Sequence, residues 1–107
     1  MSQFNNNPIM QHLETTPCII HEISIESKDN IKTVKIDIET EKMHLMLTFI
    51  NASSIRVDFH MSDLTIYGFR IIDNIKNGWS SEVRYHLVDI EDNLIDFYFE
   101  DYVIQIK

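Results

Sequence analysis

The chain predicts a mainly β fold, with about eight antiparallel strands in meanders forming a sandwich or a strongly curled sheet, and one short N-terminal helix. Three observations carry this expectation. Isoleucine far outnumbers leucine and alanine, and a β-branched side chain, stiff at χ1, packs well on a pleated surface. Apolar and polar residues alternate with period two over most of the length after Cys18. The connections are short and none holds a helix, which excludes a parallel sheet because parallel pairing needs long crossovers.

The elements follow in order. In "NNNPIMQHLETTP", Asn7 can cap a helix and Pro8 suits its first position, where the missing N–H had no intrahelical partner. Ile9, Met10 and Leu13 give an apolar stripe, and Pro17 ends the segment. Two turns are not stable alone, so this helix must rest on something else. "CIIHEISIES" places Ile19, Ile23 and Ile25 on one face, interrupted by His21. After the "SKDN" turn, "IKTVKIDIET" sets Val34, Ile36 and Ile38 inward against Thr33, Lys35, Asp37 and Glu39.

"KMHLMLTFI" puts Met43, Leu45, Leu47 and Phe49 on one face and the less polar set His44, Met46, Thr48 and Ile50 on the other. That pattern predicts a central strand covered in part on both sides, with the N-terminal helix a candidate cover. "SIRVDFHM" alternates Ile55, Val57, Phe59 and Met61 with Arg56, Asp58 and His60. "LTIYGFRII" is apolar on both faces, and Gly68 marks a bulge or a close backbone approach. "EVRYHLVDI" alternates Val83, Tyr85 and Leu87 with Arg84, His86 and Val88. "LIDFYFE" and "YVIQIK" close the chain, with Glu100–Asp101 at a tight reversal between them. Only two glycines and two prolines are present, so Asn, Asp and Ser must make the turns.

One domain accounts for residues 1–107: a short helical N-terminal segment over 1–17 and antiparallel β over 18–107. The formal net charge is −8. Such a field repels a phosphate backbone, which argues against nucleic-acid binding, and it speeds encounter with a cationic protein. Acidity is also a common aid to solubility. Cys18 is alone, so no internal disulfide forms and no oxidising compartment is required. The N-terminal stretch has neither the basic region nor the long apolar run of a signal peptide, and no run of the chain suits a membrane span. The expectation is a cytoplasmic chain without membrane partners.

Reactive constellations are scarce. His12, His21, His44, His60 and His86 are scattered singly, without the close spacing of zinc ligands. His44, His60 and His86 could meet only by converging from neighbouring strands. Ser53 and Ser54 lack the glycines of a nucleophile elbow. Cys18 and His21 point to opposite faces of a strand and would not pair. "DIEDN" has faintly calcium-like spacing but lacks the glycine and the closing glutamate of such a loop. No catalytic residue, metal site or cofactor is expected.

The surface is more informative. "DIEDNLIDFYFED" carries Asp89, Glu91, Asp92, Asp96, Glu100 and Asp101 with no lysine or arginine. If "EDN" is a hairpin turn, Asp89, Glu91 and Asp92 stand at one end of the sheet and Glu100 and Asp101 at the other. These acids read either as a solvated face that resists edge-to-edge aggregation or as a docking surface with aromatic anchors. Trp79, after the Asn77–Gly78 turn signal, reads either as a ring folded over the end of the core or as an exposed anchor. The candidate partner-binding set is therefore Asp89, Glu91, Asp92, Glu100, Asp101, Tyr102 and Trp79.

The succession of "FINASSI", an apolar strand, the "NGW" loop and two closing strands with "FYFED" resembles small β-rich immunity proteins of bacterial polymorphic toxin systems. The resemblance covers the second half of the chain and implies a non-enzymatic protein that binds and neutralises one toxin domain. Such families share no common functional residues, so none is carried over. An acidic inhibitor would suit a basic toxin with a cationic groove. Two rivals stay open: a small-ligand binder with an apolar cavity inside a curled sheet, and an enzyme bringing His44, His60 or His86 to a carboxylate. An exposed edge such as "YVIQI" could also pair with its twin in a homodimer.

Overall fold

A computed structural model describes residues 8–57, 64–67, 69–73, 84–89 and 94–107. Among them lie one helix and nine strands: α1 (Pro8–Thr15), β1 (Cys18–Lys28), β2 (Ile31–Glu39), β3 (His44–Ile50), β4 (Ser53–Val57), β5 (Leu64–Ile66), β6 (Phe69–Asp73), β7 (Tyr85–Asp89), β8 (Ile95–Phe99) and β9 (Asp101–Ile106). They form two antiparallel sheets, ordered β5-β1-β2-β3-β9 and β4-β8-β7-β6. Alternate residues of both sheets, among them Val34, Ile36, Ile38, Leu45, Leu47, Phe49, Ile71, Leu87, Phe97 and Phe99, are buried in one core. Phe49 from the first sheet meets Phe97 and Phe99 from the second at ring-centroid distances of 5.3 and 4.8 Å, both edge-on, the arrangement that aromatic quadrupoles favour. The expected antiparallel sandwich is the observed architecture.

Turns are made without glycine where the alternation demanded it. Asp29 and Asn30 have φ of 53° and 66°, and Lys28 pairs directly with Ile31. Two consecutive left-handed residues twist the backbone in the sense that a tight hairpin needs, and Asp and Asn tolerate that region better than other side chains. Asn51, with φ of 58°, sits at the corner where the chain leaves β3 for the other sheet.

Four expectations change. In β1 the core residues are Cys18 and Ile20, while Ile19 is 37% and Ile25 49% exposed. The pairing with β2 slips between Ile20 and Glu22, so a bulge at His21 lets Ile20 and Ile23 both face inward despite their odd separation. "LTIYGFRII" is not one strand: β5 pairs with β1 in one sheet and β6 with β7 in the other. Its two apolar faces reflect that crossing, and Gly68 itself lies outside the described residues. Glu100 does not turn a hairpin, because β8 and β9 belong to different sheets. Finally, α1 packs beside β6 rather than over the outer face of β3. Leu13 is fully buried, and Arg70 of β6 donates from Nε to Glu14 Oε1 at 2.9 Å.

Candidate functional site

At one end of the sandwich the chain passes from β8 to β9 through Glu100. Tyr85 is paired with Phe99 and Phe49 with Tyr102, so β7, β8, β3 and β9 all bring aromatic residues to this end. The Tyr102 ring lies 5.5 Å from Tyr85 and 5.9 Å from Phe99, both nearly perpendicular. Tyr85 carries the Arg84 guanidinium over its face, 4.8 Å from the ring centre, a cation–π contact. Tyr102 is half-buried, whereas Glu100 and Asp101 are exposed.

The backbone holds these acids in place. Glu100 N donates to Ile50 O at 3.0 Å, and Asn51 Nδ2 donates to Glu100 Oε1 at 3.2 Å. Asp101 Oδ1 accepts from Tyr102 N at 2.8 Å. Ile50, Arg84, Glu100 and Asp101 line an open groove of about 380 Å³. Burial, then the neighbouring Tyr85 and the Asp101 carboxylate, push the Tyr102 phenol above the ordinary tyrosine range, with Arg84 opposing them. The groove therefore presents two carboxylates, one guanidinium and the apolar Ile50, an arrangement whose excess of negative charge suits a cationic side chain that also offers an apolar stem.

The expected site residues divide. Glu100 and Asp101 come together in this groove, and Tyr102 follows them in β9 with its ring against Tyr85 and Phe99. Asp89 does not belong with them: it is fully buried at the far end of the β7–β8 hairpin, where Val88 pairs with Asp96. Its Oδ1 accepts from the N–H groups of Leu94 and Ile95, both at 2.7 Å. That geometry makes Asp89 a clamp on the return of the hairpin, since a buried carboxylate satisfies two backbone donors that strand pairing leaves over. Glu91, Asp92 and Trp79 lie outside the described residues. Of the acids of "DIEDNLIDFYFED" that are described, Asp89 and the pair Glu100–Asp101 lie toward opposite ends of β8.

The described histidines are engaged one by one. His12 bridges Thr40 and Thr16 at 3.3 and 3.2 Å, tying α1 to the end of β2. His21 donates to Glu39 at 2.7 Å and His44 to Asp37 across neighbouring strands. On the other sheet His86 donates to Asp96 at 2.6 Å and stacks on Tyr98 at 4.3 Å. His44 and His86 thus each reach a carboxylate, but on separate sheets, and His60 lies outside the described residues. Among the described residues no group of three or more His, Cys, Asp or Glu side chains is placed to hold a metal ion.

Sequence spacing missed the pairing on the first sheet's outer face, where His21 and His44 lie 5.6 Å apart. The β1 bulge and strand register create it, and neither has a local signature. Asp37 also accepts from Lys107 Nζ at 3.0 Å. Burial tends to raise its pKa, but the hydrogen bonds from Lys107 and His44 outweigh it and hold the carboxyl below its usual value.

Phe49, Phe69, Phe97 and Phe99 are each fully buried between the sheets. A second groove of about 370 Å³, lined by Thr16, Pro17, Ile19, Glu39, Thr40, Glu41 and Thr65, opens on the surface. Cys18 lies in the core, its Sγ directed at Thr16 O and Leu13 O, and burial pushes its thiol up to about 12. A thiol held in that state is no nucleophile at neutral pH. No helix among the described residues is long and apolar enough to cross a membrane. No protein family, curated protein or solved structure matches this chain.

Proposed function

We infer that this chain is a non-enzymatic binding module that docks a basic protein at the β8–β9 end of the sandwich. The observation that carries the reading is the open groove lined by exposed Glu100 and Asp101 together with Ile50 and Arg84, next to the half-buried Tyr102 of β9. The rest of the chain's −8 charge supplies long-range steering, and the aromatic edge supplies the contact that resists dissociation. In the immunity role implied by the second-half resemblance, this end would cover a cationic groove on a toxin domain, leaving its substrate no approach.

The test starts at the neighbouring gene: the reading expects it to encode a large secreted protein, whose C-terminal domain is then co-expressed with this chain. Rescue of growth by the wild-type chain, lost in the Glu100→Lys, Asp101→Lys double variant, supports the reading. Binding measured on the purified pair should weaken as salt rises, because exposed charges are screened beyond about 10 Å at 0.1 M. Full rescue by the double variant overturns the site, and absence of rescue by the wild type overturns the function.

A further inference from the structure

The geometry points to a second copy of this chain as the occupant of the outer edge of β9, paired antiparallel about Ile104. The sandwich has four sheet edges, and three are blunted. β5 spans only Leu64–Ile66. β4 is kinked, with a register shift between Ser53 and Arg56 and φ of 51° at Ser54. β6 has α1 packed beside it, tied by the Arg70–Glu14 ion pair. β9 alone is regular: its register with β3 runs unbroken from Ile50↔Asp101 to Leu45↔Ile106. Its sequence "DYVIQI" holds no proline and no charge after Asp101. Short strands, bulges, covering elements and internal charges are the devices that keep edges from pairing, and among the described residues β9 carries none of them along its middle.

The direction of the backbone groups follows from one bond. Lys107 N donates to His44 O at 2.8 Å. Because bonding alternates along an antiparallel strand, the odd-numbered residues of β9 face β3, and Tyr102, Ile104 and Ile106 turn their N–H and C=O groups outward. Tyr102 bears this out, since its N–H is met by the Asp101 carboxylate rather than by β3. Among the described residues no strand pairs with the outward groups of Ile104 and Ile106.

A second copy fits this edge because the edge is complementary to itself. Antiparallel pairing must oppose outward-facing residues to outward-facing ones. With Ile104 opposite Ile104 of the second copy, Tyr102 faces Ile106 and Ile106 faces Tyr102, so the outward groups of Ile104 and Ile106 find mates, while the Tyr102 N–H would have to leave the Asp101 carboxylate to join them. In the same register Val103 faces Gln105, and Asp101 faces Lys107 at both ends, where the Lys107 ammonium would be shared between this carboxylate and Asp37 of its own chain. Sliding by two residues in either direction leaves the carboxylate or the ammonium group without its opposite charge. Ile106, 69% exposed, and Val103, 47% exposed, both gain cover, Ile106 beneath the aromatic ring of Tyr102. The contact is isologous and closes on itself, joining the two five-stranded sheets into one.

Charge gives this association a signature opposite to that of the docking surface. Two chains of net charge −8 repel, so added salt should strengthen the homodimer while weakening capture of a basic partner. Sedimentation of the full chain from micromolar to millimolar concentration should show the 12.7 kDa monomer giving way to a species of twice that mass, at lower concentration when salt is high. Register is read by cross-linking. Val103 and Gln105 of opposite copies form a pair without mutual backbone bonds, with Cα atoms about 4.5 Å apart, close enough for a disulfide. An equal mixture of Val103→Cys and Gln105→Cys chains should oxidise to a covalent dimer, and neither variant alone should do so. Ile104→Pro, which removes an outward N–H, should keep the far-ultraviolet spectrum of the fold and lose the dimer. A monomer under all these conditions, or cross-linking by either single variant alone, overturns the proposal.

Discussion

Replacing Asp89 by alanine should be the most damaging single change to an acidic residue of this chain. The side chain is fully buried, and its Oδ1 accepts from two backbone donors, Leu94 N and Ile95 N, each at 2.7 Å. A hydrogen bond to a charged group contributes about 1.5–3 kcal/mol, and a buried donor left without an acceptor costs a similar amount. Two such bonds lost together, reduced for partial relaxation and water entry, come to about 3–5 kcal/mol. That is a large share of the about 5–15 kcal/mol by which a small domain is stable. With an unfolding entropy of about 2.1 cal/mol/K per residue over 107 residues, a loss of about 3 kcal/mol lowers Tm by about 13 °C.

Asparagine offers a sharper comparison. It keeps an oxygen for both donors but gives up the charge. It also removes the charge from the position of Oδ2, which is buried with no hydrogen-bond partner among the described residues, and puts there an uncharged NH2 whose donors need acceptors. Asp89→Asn should therefore cost less than half as much as Asp89→Ala. Urea unfolding followed by far-ultraviolet circular dichroism measures both, and an unchanged m-value confirms that the native state is what moved. If Asp89→Ala lies within about 1 kcal/mol of the wild type, the clamp is not holding the hairpin and the burial argument fails.

Two further outcomes concern the titrating groups. The Cys18 thiol, held up to about 12 by burial, should react with an aromatic disulfide reagent at pH 8 only as fast as the chain opens, and at once in denaturant; rapid labelling of the folded protein would contradict its placement in the core. Tyr102, raised by burial and by the nearby Tyr85 and Asp101, should ionise above the ordinary tyrosine value in a near-ultraviolet titration, with Tyr102→Phe identifying its contribution. A group raised in the folded state contributes stability that is whole below its unfolded pKa and is lost as pH climbs through the folded one. The wild type should accordingly lose stability in alkali more steeply than Tyr102→Phe, and equal slopes would remove the raised phenol from the account.

How much of this was legible beforehand depends on range. "IKTVKIDIE" alternates so cleanly that its expected inward face, Val34, Ile36 and Ile38, is the observed one. The scarcity of glycine correctly pointed to Asp, Asn and Ser at left-handed turns. β1 misled because Ile19 and Ile20 are adjacent, so either phase has an apolar start, and a bulge that resets the phase leaves no mark in composition. "LTIYGFRII" misled for a related reason: its two strands are buried in two different sheets, and one stretch that serves both is apolar on every side.

The candidate site shows the same division. Chemistry type was local information: an acidic stretch, interleaved tyrosines and no set of reactive groups at useful spacing. Which acids face outward was legible only in part: Asp89 continues the inward phase of Tyr85 and Leu87, whereas Glu100 and Asp101 stand where one strand gives way to the next. Only the β7–β8 register turned Asp89 onto two backbone donors, and only the crossing into β9 left Asp101 in the open. Period-two alternation states which way a side chain faces within its own strand, and the sequence by itself determined that much, along with the absence of crossover helices and the sign of the charge. Strand order, the sheet to which each strand belongs and the edge left open are set by contacts between residues far apart in the chain, whose free energies add up only once the core has closed. Those were decided by the tertiary structure.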